Sequence, residues 1–171
     1  KAGGYIRTGF ECYSLPDSPM TKAFKEGEAH YGAAGHQPGG RVNFIAIGSS
    51  SMSNLGNDYY FQNFYDLPSY KKALDNKILP SFRGIKLSKD DKIRQHVTQQ
   101  IRSYFKLDYK NFKDQFNIDF PKYFNEEIKY LDDMIKDGLV KISDDGILLT
   151  ELGRDFTQVI MNVFDKYDPP N

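Results

Sequence analysis

Three histidines, one cysteine and a run of small hydroxyl residues are the side chains of this sequence whose types invite a chemical reading. His30 and His36 fall in a glycine-rich stretch and His96 in a helical pattern, so no pair has the spacing of a metal site. Cys12 is the single cysteine. It excludes a disulfide framework and any multi-cysteine zinc or iron–sulfur site built from this chain alone, and its simplest role is that of a small buried hydrophobe. The hydroxyl run is Gly48-Ser49-Ser50-Ser51-Met52-Ser53, placed directly after the apolar stretch Arg41–Ile47. Small residues at the carboxy end of a strand are where α/β proteins bring backbone up to a ligand. The run can be read as an anion nest, but it lacks the lysine of a phosphate loop, and a tightly packed turn is the alternative. No catalytic or metal-ligating set emerges from these residues.

Composition narrows the classes. Lys plus Arg and Asp plus Glu both number 23 in 171 residues, which gives no basic surplus for a nucleic-acid backbone. The aromatic content is all Tyr and Phe, 12 and 13, suited either to a core or to a flat-ring pocket. No apolar run approaches the roughly 20 residues a bilayer requires. The start, Lys1-Ala2-Gly3-Gly4-Tyr5, reads as an internal cut or a tag remnant, and a reducing compartment, the cytoplasm, is expected.

The elements that must position these residues divide into two blocks, 1–80 and 81–171. In the first, residues 4–15 predict a strand, 17–27 a short helix, 27–40 loop, and 41–47 a strand apolar on both faces, as in a parallel sheet. Residues 66–76 predict a helix with Tyr70, Ala73 and Leu74 inward, and Pro80 with Arg83-Gly84 reads as a break between the blocks. In the second block, Ser88 caps a helix whose Ile93, Val97, Ile101 and Phe105 share one face. A helix over 109–116 follows. A third helix starts near Pro121 with the stripe Phe124, Ile128, Leu131 and Ile135, and ends at Gly138. A hairpin turns at Ser143-Asp144-Asp145-Gly146, and a last helix runs from Glu151 to about Tyr167. This order predicts a winged helix. DNA binding is disfavoured, because its third helix carries Glu126, Glu127, Asp132, Asp133 and Asp137 against only Lys129 and Lys136.

An ordered set of short strings resembles the carboxy-terminal third of the oxygen-independent coproporphyrinogen III oxidases. The set is Tyr60-Phe61-Gln62-Asn63, Leu67 with Tyr70, Arg83-Gly84, Leu87-Ser88, Asp90-Asp91, Arg94, Tyr123-Phe124, Asp137-Gly138-Leu139-Val140, Gly146-Ile147, Thr150, Gly153-Arg154 and Phe164-Asp165-x-Tyr167. The resemblance implies an α+β chain: a remnant of a radical-SAM partial (β/α) barrel at 1–80, followed by a winged-helix-like domain at 81–171. It implies S-adenosylmethionine and a [4Fe–4S] cluster in a full-length parent, where a radical starts decarboxylation of propionates to vinyls. The family's Cys-x-x-x-Cys-x-x-Cys is absent here, so the piece alone is expected to be inactive. By match to the family's Gly-x-Ser segment, Gly48, Ser50, Ser51 and Met52 are the expected cofactor-binding residues, with Met52 against the cofactor's adenine.

The implied partners are a tetrapyrrole and the amino-terminal barrel of the same protein, with no nucleic acid, no membrane and a monomeric state. Departures fall at Glu11-Cys12-Tyr13-Ser14-Leu15-Pro16, at Tyr31–Gln37 and at Gln158-Val159. The first two bear on substrate, and leave open a haem-utilisation relative acting on haem. Arg83, Arg94 and Arg154 fit the family strings, with salt-bridging to nearby acids as their expected use. A non-catalytic winged-helix interaction module is the reading from another class.

Overall fold

The computed structural model describes residues 3–32, 35–39, 43–56 and 58–167. They form a mixed α/β chain of two compact units. One comprises Lys1–Tyr31, His36–Gly39 and Ile93–Asn171, and the other Gly32–Gly35 and Gly40–Lys92.

The single strand expected over 4–15 is instead a hairpin of β1 (Ile6–Gly9) and β2 (Cys12–Ser14). Gly9 at φ 143° and Glu11 at φ 58° reverse the chain between them, a geometry that period-2 alternation does not reveal. Helix α1 (Pro19–Glu26) is capped by Ser18, whose hydroxyl accepts from the Thr21 N–H, and is closed by left-handed Gly27. The stretch expected as loop over 27–40 contains two short paired strands, β3 (His30–Gly32) and β4 (Gly35–Gln37).

The second unit is built on an antiparallel sheet of β5 (Met52–Leu55), β6 (Tyr59–Asn63) and, beyond helix α2 (Leu67–Asp75), β7 (Ser81–Lys86), in that spatial order. Three expectations change here. Of the strand expected over 41–47, residues 41 and 42 lie outside the described residues. The remainder makes only one bridge, Phe44 with Asn54, and it is antiparallel. Ile45 and Ile47 are 70% and 88% exposed, so the doubly buried parallel strand is not formed. The break expected at Pro80–Gly84 is β7 itself, because its N–H and C=O groups pair with β6 across Arg83 and Gly84. Leu74, expected inward, is exposed on α2.

Helix α3 (Lys89–Tyr104) opens as read from sequence: the Ser88 hydroxyl accepts from the Asp91 N–H, and Asp91 accepts from the Ser88 N–H in return. Then follow β8 (Lys106–Asp108) and α4 (Tyr109–Phe116). The third helix is not continuous. It is split into α5 (Phe120–Tyr123), α6 (Asn125–Lys129) and α7 (Leu131–Lys136), with Phe124 leaving helical geometry at φ −107°, ψ 32°. The apolar stripe survives the break, since Phe124 and Leu131 are fully buried, but Ile135 is exposed.

The hairpin of β9 (Val140–Ser143) and β10 (Gly146–Leu149) turns on Asp144-Asp145, and β8 adds to it in the order β8-β10-β9. The last helix is shorter than expected: a 3-10 turn over Gly153–Phe156 leads into α8 (Thr157–Asn162). The core of the unit that contains Ile93–Asn171 is an aromatic cluster in which Phe112, Phe120, Phe124 and Phe164 are all but inaccessible, with Phe120 and Phe124 at 4.7 Å between ring centroids. Burying each such ring stabilises by about 2–3 kcal/mol.

Candidate functional site

The run Gly48–Met52 forms a closed turn held from four directions, all within the second unit. Gly48 and Ser50 take φ of 113° and 62°, so successive backbone groups point away from the line of the chain. Asn63, at the end of β6 and 5% exposed, donates its amide to the carbonyls of Gly48 at 2.9 Å and Ala46 at 3.3 Å. Its own N–H donates to the Ser51 carbonyl at 3.0 Å, and the Ser50 N–H donates to the Phe64 carbonyl at 2.9 Å. The Gly48 N–H donates to the Tyr70 hydroxyl on α2 at 3.0 Å. The Ser51 hydroxyl closes the turn internally onto the Ile47 carbonyl at 3.0 Å.

A relay fixes the far side. Arg83 on β7 donates its Nε–H to the Gln62 side-chain oxygen at 2.9 Å, and the Gln62 amide donates to the Ser50 carbonyl at 3.0 Å. The register makes this possible, because Met52, Gln62 and Arg83 are cross-strand neighbours and project from one face of the sheet. A shallow groove of about 220 Å³ lies on that face, lined by Met52, Tyr60, Gln62, Arg83 and Ile85, with Met52 45% exposed beside it. Pockets that enclose a ligand run to roughly 300–1,000 Å³, so this groove can cover one face of a flat group and no more.

Of the residues expected to bind cofactor, Gly48, Ser50 and Ser51 therefore spend their polar backbone groups on holding the turn, and Met52 stands at its end as an apolar surface. Sequence reading assigned no positioning role to Gln62, Asn63 or Tyr70, although all three lie in the strings that carried the family resemblance. Arg83, expected in a salt bridge, binds the Gln62 amide instead. Arg94 and Arg154 do pair with acids: Arg94 with Glu127 at 2.8 Å, its guanidinium over the Phe124 ring, and Arg154 with Glu151 at 3.0 Å.

Iron–sulfur chemistry has no seat in these residues. Among the described residues no three His, Cys, Asp or Glu side chains gather to hold a metal. Cys12 sits in β2 with its sulfur accepting from the Thr8 hydroxyl at 3.3 Å. His36 packs edge-on against Tyr31 and His96 edge-on against Phe116. A cluster therefore does not fit the described residues.

Residues 87–156 match the HemN C-terminal domain family. Over nearly its whole length the chain resembles the carboxy-terminal part of the oxygen-independent coproporphyrinogen III oxidases. It is 33% identical to the enzyme of Pseudomonas aeruginosa over 98% of this chain and 36% of the relative. It is 34% identical to that of Escherichia coli (strain K12) over 96% of this chain and 36% of the relative. The solved structure of coproporphyrinogen III oxidase (HemN) from Escherichia coli, described as a radical SAM enzyme, superposes with a TM-score of 0.90 at 34% identity, covering 96% of this chain and 38% of that one. The chain thus spans little more than a third of the length of the relatives it matches. Among the described residues no helix is long and apolar enough to cross a membrane.

Proposed function

We propose that this chain is the carboxy-terminal part of a cytoplasmic radical-SAM enzyme of the coproporphyrinogen-oxidase kind, acting on a tetrapyrrole. The observation that carries the proposal is the locked turn Gly48–Ser51, which presents Met52 beside a groove shaped for one face of a flat group. In that role Asn63, Gln62 and Tyr70 hold the turn, and Met52 covers the adenine of S-adenosylmethionine. The cofactor supplies a carbon radical when cleaved reductively by a cluster whose ligands lie outside this chain. This chain's residues position and exclude water; none of them is assigned a bond-making step, and the piece alone is inactive.

The order α3–β8–α4, then α5 to α7, then β9–β10, with β8 alongside β10, supports a winged helix over 81–171 that caps a partial barrel whose last elements lie in 1–80. The acidic α6 and α7 favour a cap over a DNA reader. Exposed Ile45, Ile47, Leu79 and Phe82 support coverage of the second unit by the amino-terminal barrel of the same protein. A second reading, a haem-utilisation relative acting on haem, is favoured by one observation: Tyr31 and His36 meet edge-on in a segment where the family carries a different string.

The test uses the full-length protein, reconstituted anaerobically with iron and sulfide and assayed for reductive cleavage of S-adenosylmethionine. Cleavage coupled to decarboxylation of coproporphyrinogen supports the oxidase, and cleavage with haem alone moves the protein to the haem branch. Absence of both cluster and cleavage refutes the radical-SAM reading.

A further inference from the structure

Arg102, in the last turn of α3, differs from the other arginines of its unit. Arg7, Arg94 and Arg154 each reach a carboxylate, at 2.7, 2.8 and 3.0 Å. Arg102 has no carboxylate partner among the described residues. Its guanidinium lies over Tyr31, with the central carbon 3.7 Å from the ring centroid, and 5.8 Å from the centroid of Phe10. Its Nε is buried and unpartnered, as are those of Arg7 and Arg154, so what sets Arg102 apart is the missing carboxylate and the stacked rings. A guanidinium stacked by its face keeps its edge N–H groups in the plane between the rings, which is the geometry that receives a carboxylate in bidentate fashion.

The site is built rather than incidental, because each ring is tied to backbone. The Phe10 N–H donates to the Arg102 carbonyl at 2.9 Å, so Phe10 is anchored to the residue it flanks. The Gln99 amide, in the orientation that satisfies both of its ends, brackets Tyr31 by accepting from its N–H at 2.7 Å and donating to its carbonyl at 3.1 Å. His36 supports Tyr31 edge-on at 5.0 Å between centroids. Arg102 is therefore a cation held against two aromatic rings, with no carboxylate partner among the described residues.

We infer that Arg102, Tyr31 and Phe10 form an anchoring site for a carboxylate carried on an apolar, planar body, a propionate of the tetrapyrrole substrate. The tetrapyrrole assignment rests on the function proposed above; the carboxylate site stands without it. The same geometry accounts for the aromatic character of position 31, in the stretch where this sequence departs from the family pattern.

The experiment follows the arginine Nε–Hε signals of this chain by NMR while propionate is added, with uncharged propionamide and with chloride as controls. A saturable shift of the Arg102 signal with propionate alone is expected. Arg102→Met is expected to weaken propionate binding by about tenfold or more, the loss of one charge-assisted pair. Arg102→Lys, which keeps the charge and the stem, is expected to retain fold and part of the affinity. No shift, an equal shift with chloride, or undiminished binding by Arg102→Met overturns the site. Coproporphyrin, but not its tetramethyl ester, is expected to displace propionate. Failure of that displacement overturns the tetrapyrrole assignment alone, and leaves the radical-SAM reading to be decided by the cleavage assay.

Discussion

Asn63 is the residue on which the turn depends most, and the structure sets the size of the effect. Asn63→Ala removes two donated hydrogen bonds, to Gly48 and Ala46, while leaving the β6 backbone unchanged. The two carbonyls are only partly buried, so water replaces the lost donor and each bond is worth about 1 kcal/mol net, giving about 2 kcal/mol in all. That loss falls on the local opening of 46–51, and is read by amide hydrogen exchange at Ser50, whose N–H is otherwise held by the Phe64 carbonyl. An opening made easier by about 2 kcal/mol speeds exchange roughly 30-fold. Gln62→Ala removes a single exposed bond to the Ser50 carbonyl, and is expected to speed the same amide by only about threefold. Less than about a threefold change for Asn63→Ala, or an effect of Gln62→Ala as large as that of Asn63→Ala, refutes the view that Asn63 is the lock.

Two further outcomes follow from the other unit. Gly153→Ala places a methyl carbon 1.9 Å from the Leu139 carbonyl oxygen, which is backbone and has little room to retreat, so a loss of about 2–4 kcal/mol and a Tm lowered by roughly 5–15 °C are expected; an unchanged Tm refutes the clash. Burial, with the Arg102 cation beside it, holds the His36 imidazole below the ordinary histidine pKa of 6.5. The folded state then binds fewer protons than the unfolded one, so this group's contribution is complete above about pH 6.5 and declines as pH falls through that value toward the lower folded pKa. Urea midpoints between about pH 7.5 and pH 5 are expected to fall more steeply for the wild type than for His36→Asn, and equal slopes refute the assignment.

What was legible in the sequence was local and periodic. Ile93, Val97 and Ile101 repeat every four residues and occupy the buried face of α3, because a helix turns every 3.6 residues whatever packs on it. Ser88 and Asp91 cap that helix through groups three residues apart, again a short-range fact. Gly48–Ser51 was legible as a small-residue turn. Its lock was not, because Asn63, Tyr70 and Arg83 meet it only once the β6 and β7 registers are set. The third helix was misread as continuous for a related reason: the stripe from Phe124 to Leu131 reports which residues are buried, and burial survives the bends at Phe124 and Tyr130.

The strand expected over 41–47 shows the limit of hydropathy most clearly, and it also bears on function. An apolar run states what its side chains would gain by burial and is silent on what covers them. Ile45 and Ile47 are exposed, β7 is exposed at all six positions, and α2 buries none of its residues. Covering Ile45, Ile47, Leu79 and Phe82 would gain about 1.5–3 kcal/mol for each side chain, a gross gain comparable to the whole stability of a domain. The polar side of the same unit is by contrast fully engaged, since Asn63, Gln62, Tyr70 and Arg83 all meet within one small turn. A unit that satisfies its polar groups internally and leaves its apolar groups outward is built to be one wall of a larger enclosure. That distinction, more than any single side chain, supports the proposal that the turn at Gly48–Met52 is half of a cofactor site.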